Sequence, residues 1–275
     1  MTLPYPRACL LPASLLVLAV PLAAQQREEV KPEAASGGGD TAVEFFSGAE
    51  FQQIELSDGR KVEKFSIPVA ARVTAGRLRV TAQVPYMRVK APGDVVVPSG
   101  PLGLPILVDP AGPAEVSTRE GIGDLRIDAA YQLPISDLNA SVSGGVKLPT
   151  ASTGKGLGTG ETDYRVGADL SKTVGAVTPF AGVSYTKVGD PADYDLEDTL
   201  AGHAGAAVRL GRSASAHLGY SYEENASDLV DDQQRVFGGV NAALGSGLSL
   251  GLYGSAGVNG PTDIGAGVSL GVRLD

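Results

Sequence analysis

The chain has 275 residues, a formal net charge of −9, 37 glycines and no tryptophan. An acidic chain of this kind is a poor partner for a phosphate backbone, which argues against nucleic-acid binding. Beyond the N-terminal segment there is no run of about 18 apolar residues, which excludes proteins that cross a membrane by helices. Glycine this frequent, without a collagen period, argues against a packed soluble core and is typical of strands set close together around a cavity.

Residues 1–24 have the features of a secretory signal peptide. Arg7 supplies the positive flank, an apolar stretch runs from Leu10 to Leu22, and two alanines precede the predicted cleavage site. An uncleaved N-terminal anchor is the alternative, but the apolar stretch is short for a span. Cys9, the only cysteine, lies in this segment, so we expect neither disulfides nor thiolate metal sites in the mature chain. Residues 25–44 are charged and glycine-rich, and we expect a disordered periplasmic lead-in.

From residue 45 onward, apolar residues alternate with polar or small ones in stretches long enough to cross a membrane as strands. In 263–274 the even positions are Ile, Ala, Val, Leu, Val and Leu, whereas the odd positions are Asp, Gly, Gly, Ser, Gly and Arg. Successive side chains of a strand point to opposite faces, so this segment has one apolar face and one small, polar face. The same pattern predicts strands at 45–56, 61–74, 77–90, 121–133, 138–148, 162–174, 177–188, 199–210, 213–224, 233–244, 247–258 and 263–274.

The predicted connections alternate in length. Tight turns such as Gly175-Ala176 and Gly211-Arg212 alternate with longer, polar or proline-rich stretches. The longer stretches are 91–120, 149–161, 189–198 and 225–232. In bacterial outer-membrane barrels, short turns face the periplasm, long loops face outward and the strand number is even. We therefore expect both chain ends in the periplasm.

Charged residues occupy one face of the predicted strands. In 162–174, Arg165 and Asp169 fall on one face, and Val166 and Leu170 on the other. An Arg or Lys on the lipid face at mid-membrane costs about 2–4 kcal/mol. Several such residues would exceed the stability of a typical domain. The fold expected over residues 45–275 is therefore all-β: a closed, antiparallel transmembrane β-barrel of about twelve strands, with its charged face inside.

The charged face of the barrel predicts which residues line the lumen. The predicted lining residues are Arg72, Arg79, Asp124, Arg126, Asp128, Lys147, Asp163, Arg165, Asp169, His203, Arg209, His217, Arg235 and Arg273. A soluble β-sandwich with its polar face in water would show the same alternation and is the alternative fold. The chain ends in Arg-Leu-Asp rather than in the aromatic residue that barrels often present to the barrel-assembly machinery, which we expect as a partner during insertion.

Four short motifs resemble those of a known family. They are Gly-Ile-Gly-Asp-Leu at 121–125, Lys-Leu-Pro-Thr at 147–150, Leu-Gly-Thr-Gly at 157–160 and Asp-Tyr at 163–164. Together they resemble the outer-membrane proteins grouped as the MetA-pathway of phenol degradation family, which are described as transporters. The resemblance covers roughly residues 120–275. It implies an outer-membrane barrel with a role in the uptake of aromatic or other hydrophobic compounds, and it implies no catalytic residue.

The predicted interior is uneven. Earlier strands carry most of the charge, whereas the inward positions of later strands are mostly glycine and serine, so we expect one charged wall and one nearly bare wall. Either an off-centre channel or an inward-folded loop would fill the space. Loop 91–120 is the predicted filler, because it is long, contains six prolines and has apolar patches at 95–97 and 102–108. A surface hairpin without a transport role is the alternative.

Other polar groups have weaker functional interpretations. Loop 189–198 carries five carboxylates, which predicts a solvated acidic rim, with a calcium site as the alternative. His203 and His217 fall on the predicted inner face, where they would join the polar lining; a proton switch or a pair of metal ligands is the alternative. Ser215, Ser221 and Glu223 share a face with His217, which leaves a hydrolase open as an alternative.

The function expected from the sequence is passive passage of small molecules, including hydrophobic or aromatic ones, through the outer membrane. Its partners are then outer-membrane lipid and small solutes. No catalytic residue, cofactor or metal ligand is predicted for this function. A barrel hydrolase acting on lipid or peptide and a closed structural or adhesion barrel are the alternatives.

Overall fold

The structure is a computed structural model and describes residues 41–55, 59–92, 95–96, 107–108, 115–191, 196–226, 231–245, 247–258 and 263–274. The predicted signal peptide, residues 25–40 of the predicted lead-in and most of loop 91–120 lie outside the described residues.

Alternating apolar and polar residues form strands along the whole described chain. The strands are β1 Thr41–Glu55, β2 Lys61–Ala75, β3 Leu78–Pro92, β4 Val95–Val96, β5 Leu107–Val108, β6 Val116–Ile122, β7 Leu125–Gln132, β8 Asn139–Leu148, β9 Asp163–Ser171, β10 Val177–Lys187, β11 Thr199–Leu210, β12 Ala214–Glu223, β13 Gln233–Ala243, β14 Leu248–Gly257 and β15 Asp263–Leu274. A short 3-10 turn covers Thr153–Lys155. Among the described residues, no helix is long and apolar enough to cross a membrane.

One antiparallel sheet closes on itself and forms a barrel. Its order is β2-β1-β15-β14-β13-β12-β11-β10-β9-β8-β7-β3-β6, and pairing of β2 with β3 completes the ring. β6 and β7 follow each other along β3 and form one strand of the wall, so the thirteen strands of the sheet make twelve wall strands. The first and last strands pair from Val43 opposite Leu274 to Ile54 opposite Asp263. The predicted fold class and strand number are confirmed, and the soluble sandwich is wrong, because the wall strands form one closed sheet.

The wall strand made by β6 and β7 contains a β-bulge, where the sequence predicts one strand over 121–133. Tyr86 of β3 faces Ile122, whereas Gln83 faces Arg126, so one extra residue is inserted opposite β3. The Gly123 N–H donates to the Pro85 carbonyl at 2.8 Å. A bulge re-aims the neighbouring side chain, and here Asp124 becomes buried.

The two faces of the barrel differ in chemistry. On β9, Val166 and Leu170 are 59 % and 50 % exposed, whereas Asp169 between them is 5 % exposed. On β12, Leu218 is 65 % exposed beside His217 at 6 %. Large apolar side chains therefore cover the outside and polar ones are enclosed, which is the reverse of a soluble protein and is typical of a barrel in lipid.

Connections at the two ends of the barrel differ in length. At one end the turns are short, such as the two residues between β2 and β3, where Gly76 has a φ of +57° that a tight turn favours. At the other end lie the longer connections, including 149–162 between β8 and β9 and 188–198 between β10 and β11. By the rule for bacterial barrels, the short-turn end is periplasmic and the long-loop end is extracellular.

Candidate functional site in the barrel interior

The predicted lining residues differ in how deeply they are enclosed. Buried are Arg72, Asp124, Lys147, Asp169, His217 and Arg235; half-buried are Arg79, Arg126, Asp128, Asp163, Arg165, His203 and Arg273; Arg209, near the short-turn end of β11, is exposed. All except Asp124, which sits in the bulge, lie on strands at positions that alternate with outward ones. That they line an open channel stays a prediction.

At the long-loop end, the inner face of β1–β3 carries a group of apolar residues next to the buried Lys64. Ile54, Val62, Met87, Val89 and Ala91 form one buried cluster there, which we call the apolar niche. Leu157 fills it and is fully buried. Leu157 belongs to residues 149–161, which we call the mouth loop. The mouth loop therefore folds into the barrel and places a leucine in its opening.

Lys147 connects the mouth loop to the wall. Its Nζ lies 2.7 Å from Asp163 Oδ2 and 3.7 Å from Asp124 Oδ2, and it donates to Thr159 Oγ1 at 3.2 Å. The lysine side chain is 5 % exposed, and Asp124 is 1 % exposed. A buried ammonium requires such partners, because an unpaired charge in the interior is strongly destabilising. Lys147, Asp124, Asp163 and Thr159 form what we call the loop latch.

The bulge supplies a second attachment. Asp124 Oδ1 accepts a hydrogen bond from the Ala151 N–H at 2.9 Å. Thr150 Oγ1 donates to the Gly123 carbonyl at 3.0 Å and accepts from the Leu125 N–H at 2.8 Å. These bonds satisfy backbone groups that the bulge removes from the ladder. The start of the mouth loop is thus fixed to the wall.

Two glycines allow this close approach. A Cβ on Gly121 would lie 3.0 Å from Leu157 Cδ1, and a Cβ on Gly158 would lie 2.9 Å from Ala151 Cβ and 3.0 Å from Asp124 Oδ2. Larger residues at either position would push Leu157 out of the niche or separate the loop from the bulge.

All four motifs of the sequence resemblance therefore meet at one place. The motif at 121–125 forms the bulge, 147–150 and 163–164 carry the latch, and 157–160 fills the niche. The sequence predicts a compact glycine-rich loop here, but not that it turns inward. The predicted filler, loop 91–120, is shorter than expected, because β3 extends to Pro92 and β6 begins at Val116. Whether its remainder enters the barrel lies outside the described residues.

Buried rings cover the wall that the sequence predicts to be nearly bare. Phe180 and Phe237 face inward with ring centroids 6.5 Å apart. They lean over Gly205 and Gly219, which occupy the same row of the sheet between them. A Cβ at Gly205 would lie 2.6 Å from Phe180 Cζ, and one at Gly219 would lie 2.4 Å from Phe237 Cζ. The prediction of a bare wall is wrong, since these glycines make room for the neighbouring rings.

The two histidines extend this ring cluster. His203 is 6.1 Å from Phe180 and His217 is 6.2 Å from Phe237, measured between ring centroids. His203 Nε2 also lies 3.5 Å from Asp169 Oδ1. Neither ring nitrogen of His217 has a hydrogen-bond partner among the described residues. Ser215, Ser221 and Glu223 therefore do not form a triad with His217 in this structure.

Toward the short-turn end, Glu44 joins two arginines. Its Oε2 lies 3.4 Å from Arg72 Nη1, and its Oε1 lies 3.9 Å from Arg273 Nη1. The Arg72 guanidinium also lies over the Phe46 ring, 4.6 Å from its centroid. At the opposite, long-loop end, Arg235 and Asp263 form a further buried ion pair. Phe46 and Asp263 are absent from the predicted lining, although alternation places them inward. Glu44 falls in the segment predicted as the lead-in, whereas β1 begins at Thr41 and includes it.

In the predicted acidic rim, Asp198 accepts two hydrogen bonds from residues at the end of β10 and just after it. The Tyr185 hydroxyl donates to Asp198 Oδ2, and the Val188 N–H donates to Asp198 Oδ1 at 3.0 Å. These hydrogen bonds, first that of Tyr185, lower the pKa of Asp198 below its ordinary value. The calcium alternative for loop 189–198 depends partly on Asp193 and Asp195, which lie outside the described residues.

The fold is similar to that of solved outer-membrane proteins. The COG4313 outer membrane channel from Pseudomonas putida F1 has a TM-score of 0.64, covering 90 % of this chain and 100 % of that chain at 12 % identity. The translocator domain of autotransporter NalP from Neisseria meningitidis has a TM-score of 0.52, covering 87 % and 90 % at 15 % identity. The transport unit of autotransporter AIDA-I from Escherichia coli has a TM-score of 0.50, covering 89 % and 94 % at 10 % identity.

No protein-family model matches the chain, and no curated protein matches its sequence. The family suggested by the four motifs therefore stays a prediction. At these identities the structural likeness establishes the fold alone. The chain has the fold of a bacterial outer-membrane β-barrel, with a latched loop at one end and an interior rich in paired charges.

Proposed function

We propose that the chain is an outer-membrane channel that lets small molecules cross passively, hydrophobic or aromatic ones among them. The observation that carries this proposal is the inside-out barrel: apolar side chains cover the closed wall, and charged side chains are enclosed within it. A wall of this kind is stable in hydrocarbon, while its polar interior is suited to water and solutes.

The enclosed charges suit passage without strong charge selectivity. Arg235 pairs with Asp263, Lys147 with Asp163, and Arg72 with Glu44. Paired charges produce a weaker field along a lumen than a ring of one sign would. Arg126 and Arg165 face inward and are half-buried rather than fully enclosed. We place the solute path along this side of the interior.

Side chains that crowd the interior limit the size of the solutes that can pass. Leu157 occupies the long-loop end, and the Phe180–Phe237 pair covers the wall formed by β10–β13. Twelve strands enclose less space than the sixteen of water-filled porins, so we expect a cut-off at small solutes. Support for hydrophobic or aromatic solutes comes from the family resemblance and from the apolar niche at the opening.

Reconstitution of the purified barrel tests the channel. We expect discrete current steps in planar bilayers, and we expect proteoliposomes to swell faster in glycine or arabinose than in a trisaccharide. Faster uptake of benzoate than of arabinose would support the aromatic preference. A folded barrel that gives neither current steps nor solute-dependent swelling would contradict the channel and favour a closed structural barrel.

A further inference from the structure

The apolar niche is preformed by the wall, but it is filled by a loop. Its five residues all belong to β1, β2 and β3, which are paired along their length, whereas Leu157 comes from the mouth loop. We propose that the apolar niche is a binding site for a compact apolar group of a permeating solute, and that Leu157 occupies the site until the solute displaces it. This inference rests on the channel function proposed above.

The polar contact at the rim that holds the tip of the mouth loop is of a kind that water can replace. Apart from the latch, the start of the loop is held by the Ala151 N–H on Asp124 and by the two hydrogen bonds of Thr150 Oγ1, and its tip by Lys155 Nζ, which donates to the Glu120 carbonyl at 3.0 Å. Lys155 and Glu120 are exposed at the rim. An exposed hydrogen bond exchanged for water changes the free energy little. The loop can therefore leave without loss of a strand pairing in the wall.

Displacement of Leu157 exposes apolar surface, and this sets the chemistry of the ligand. When Leu157 leaves, its side chain and the niche both become exposed to water, which is unfavourable. A solute that places a group similar to leucine in size and polarity in the niche buries the niche surface again. A hydroxyl group does not. A leucine-sized group should therefore be favoured over a hydroxymethyl group by about tenfold or more.

Leucine and serine are suitable probes, because both are zwitterions of low membrane permeability that differ only in the side chain. Their permeation would be measured by swelling of proteoliposomes that contain wild-type protein, Leu157→Ala or the control Leu170→Ala, whose leucine is on the outer face. Leu157→Ala vacates the niche and keeps the latch. We expect the leucine-to-serine rate ratio to rise about tenfold in Leu157→Ala and to stay at the wild-type value in Leu170→Ala.

A second change separates the niche from a general widening of the opening. In the Leu157→Ala background, Met87→Gln places an amide in the niche, and we expect it to return the leucine-to-serine ratio to about one. An unchanged ratio in Leu157→Ala, with both solutes entering faster, would overturn the niche and leave the channel intact. Folded barrels that admit neither solute in any variant would overturn the proposed channel itself.

A disulfide provides an independent route if Leu157→Ala does not fold. Gly121 and Leu157 are in contact, and the only native cysteine lies at position 9, so Gly121→Cys with Leu157→Cys gives a unique pair. Oxidation would hold the mouth loop inside, and reduction would release it. We expect leucine permeation to increase on reduction; equal permeation in both states would contradict displacement of the loop.

Discussion

Lys147 Nζ lies 2.7 Å from Asp163 Oδ2, and this ion pair joins the end of β8 to the start of β9 on both sides of the mouth loop. The loop between them is thereby closed at its base. The same ammonium reaches inward to Thr159 and sideways to Asp124. One buried side chain therefore sets the position of the loop relative to the wall.

Lys147→Met keeps most of the length of this side chain and removes its charge. We expect a loss of about 3–5 kcal/mol in unfolding free energy, because two carboxylates are left without their buried partner. We also expect a higher open fraction in single-channel recordings. Denaturant titration in detergent measures the first effect. The matched control is Lys187→Met, which removes an exposed charge at the end of β10; equal effects of the two variants would contradict the latch.

Gly219→Ala tests the glycine rows of the interior. Its Cβ would lie 2.4 Å from Phe237 Cζ and 2.8 Å from the Ala204 carbonyl oxygen, so we expect a loss of about 1–3 kcal/mol from overpacking. Gly144→Ala is the control, since its nearest atom would be 3.8 Å away. Heat-dependent mobility on gels measures barrel stability. If both variants unfold at the wild-type temperature, Phe237 does not lie over Gly219.

On the lipid-facing surface, the free-energy cost of a charged residue should depend on its depth in the membrane. Leu218 is at the middle of β12, and Leu210 is at the short-turn end of β11. We expect Leu218→Arg to cost about 2–4 kcal/mol and Leu210→Arg about 0–1 kcal/mol, since charge is tolerated near the interface. Refolding into lipid vesicles under a urea gradient gives both values. Equal costs at the two positions would mean that the apolar belt is not embedded in lipid.

The Asp198 contact predicts an acid-sensitive rim. Its pKa is lowered in the folded chain, first by the Tyr185 hydroxyl, so its contribution to stability is present above the unfolded value of 3.8. That contribution is lost as pH falls through the lower folded value. We expect Asp198→Asn to melt below wild type at pH 7, and we expect the difference to shrink as the pH falls below 3.8. A constant difference between the two proteins across this range would argue against the contact.

Much of the barrel can be predicted because alternation reports which face a side chain occupies. Arg165 and Asp169 separate from Val166 and Leu170 in sequence and in structure. The bulge at Gly123 escapes such a prediction, because the outward positions change from even residues such as Ile122 to odd residues such as Tyr131, and the segment before the bulge has too few apolar residues to show this shift.

The interior is less predictable, because its contacts depend on pairing register. Phe180 and Phe237 sit at inward positions that alternation identifies, but their fit over Gly205 and Gly219 follows from which residues face each other across three strand pairs. The inward position of Leu157 is even harder to predict from the sequence. A loop has no period, so a single leucine among glycines does not reveal whether it points outward or into the barrel.

Pairing of β1 with β15 has a consequence for assembly. These strands are the first and last of the barrel, and residues more than two hundred positions apart in the chain form their ladder. Until β15 pairs with it, β1 has an unpaired edge. Such an edge is prone to pair with other chains, and its backbone N–H and C=O groups lack hydrogen-bond partners in hydrocarbon. Closure of the barrel therefore requires β15, and a chain without this strand would have an open seam between β1 and β14.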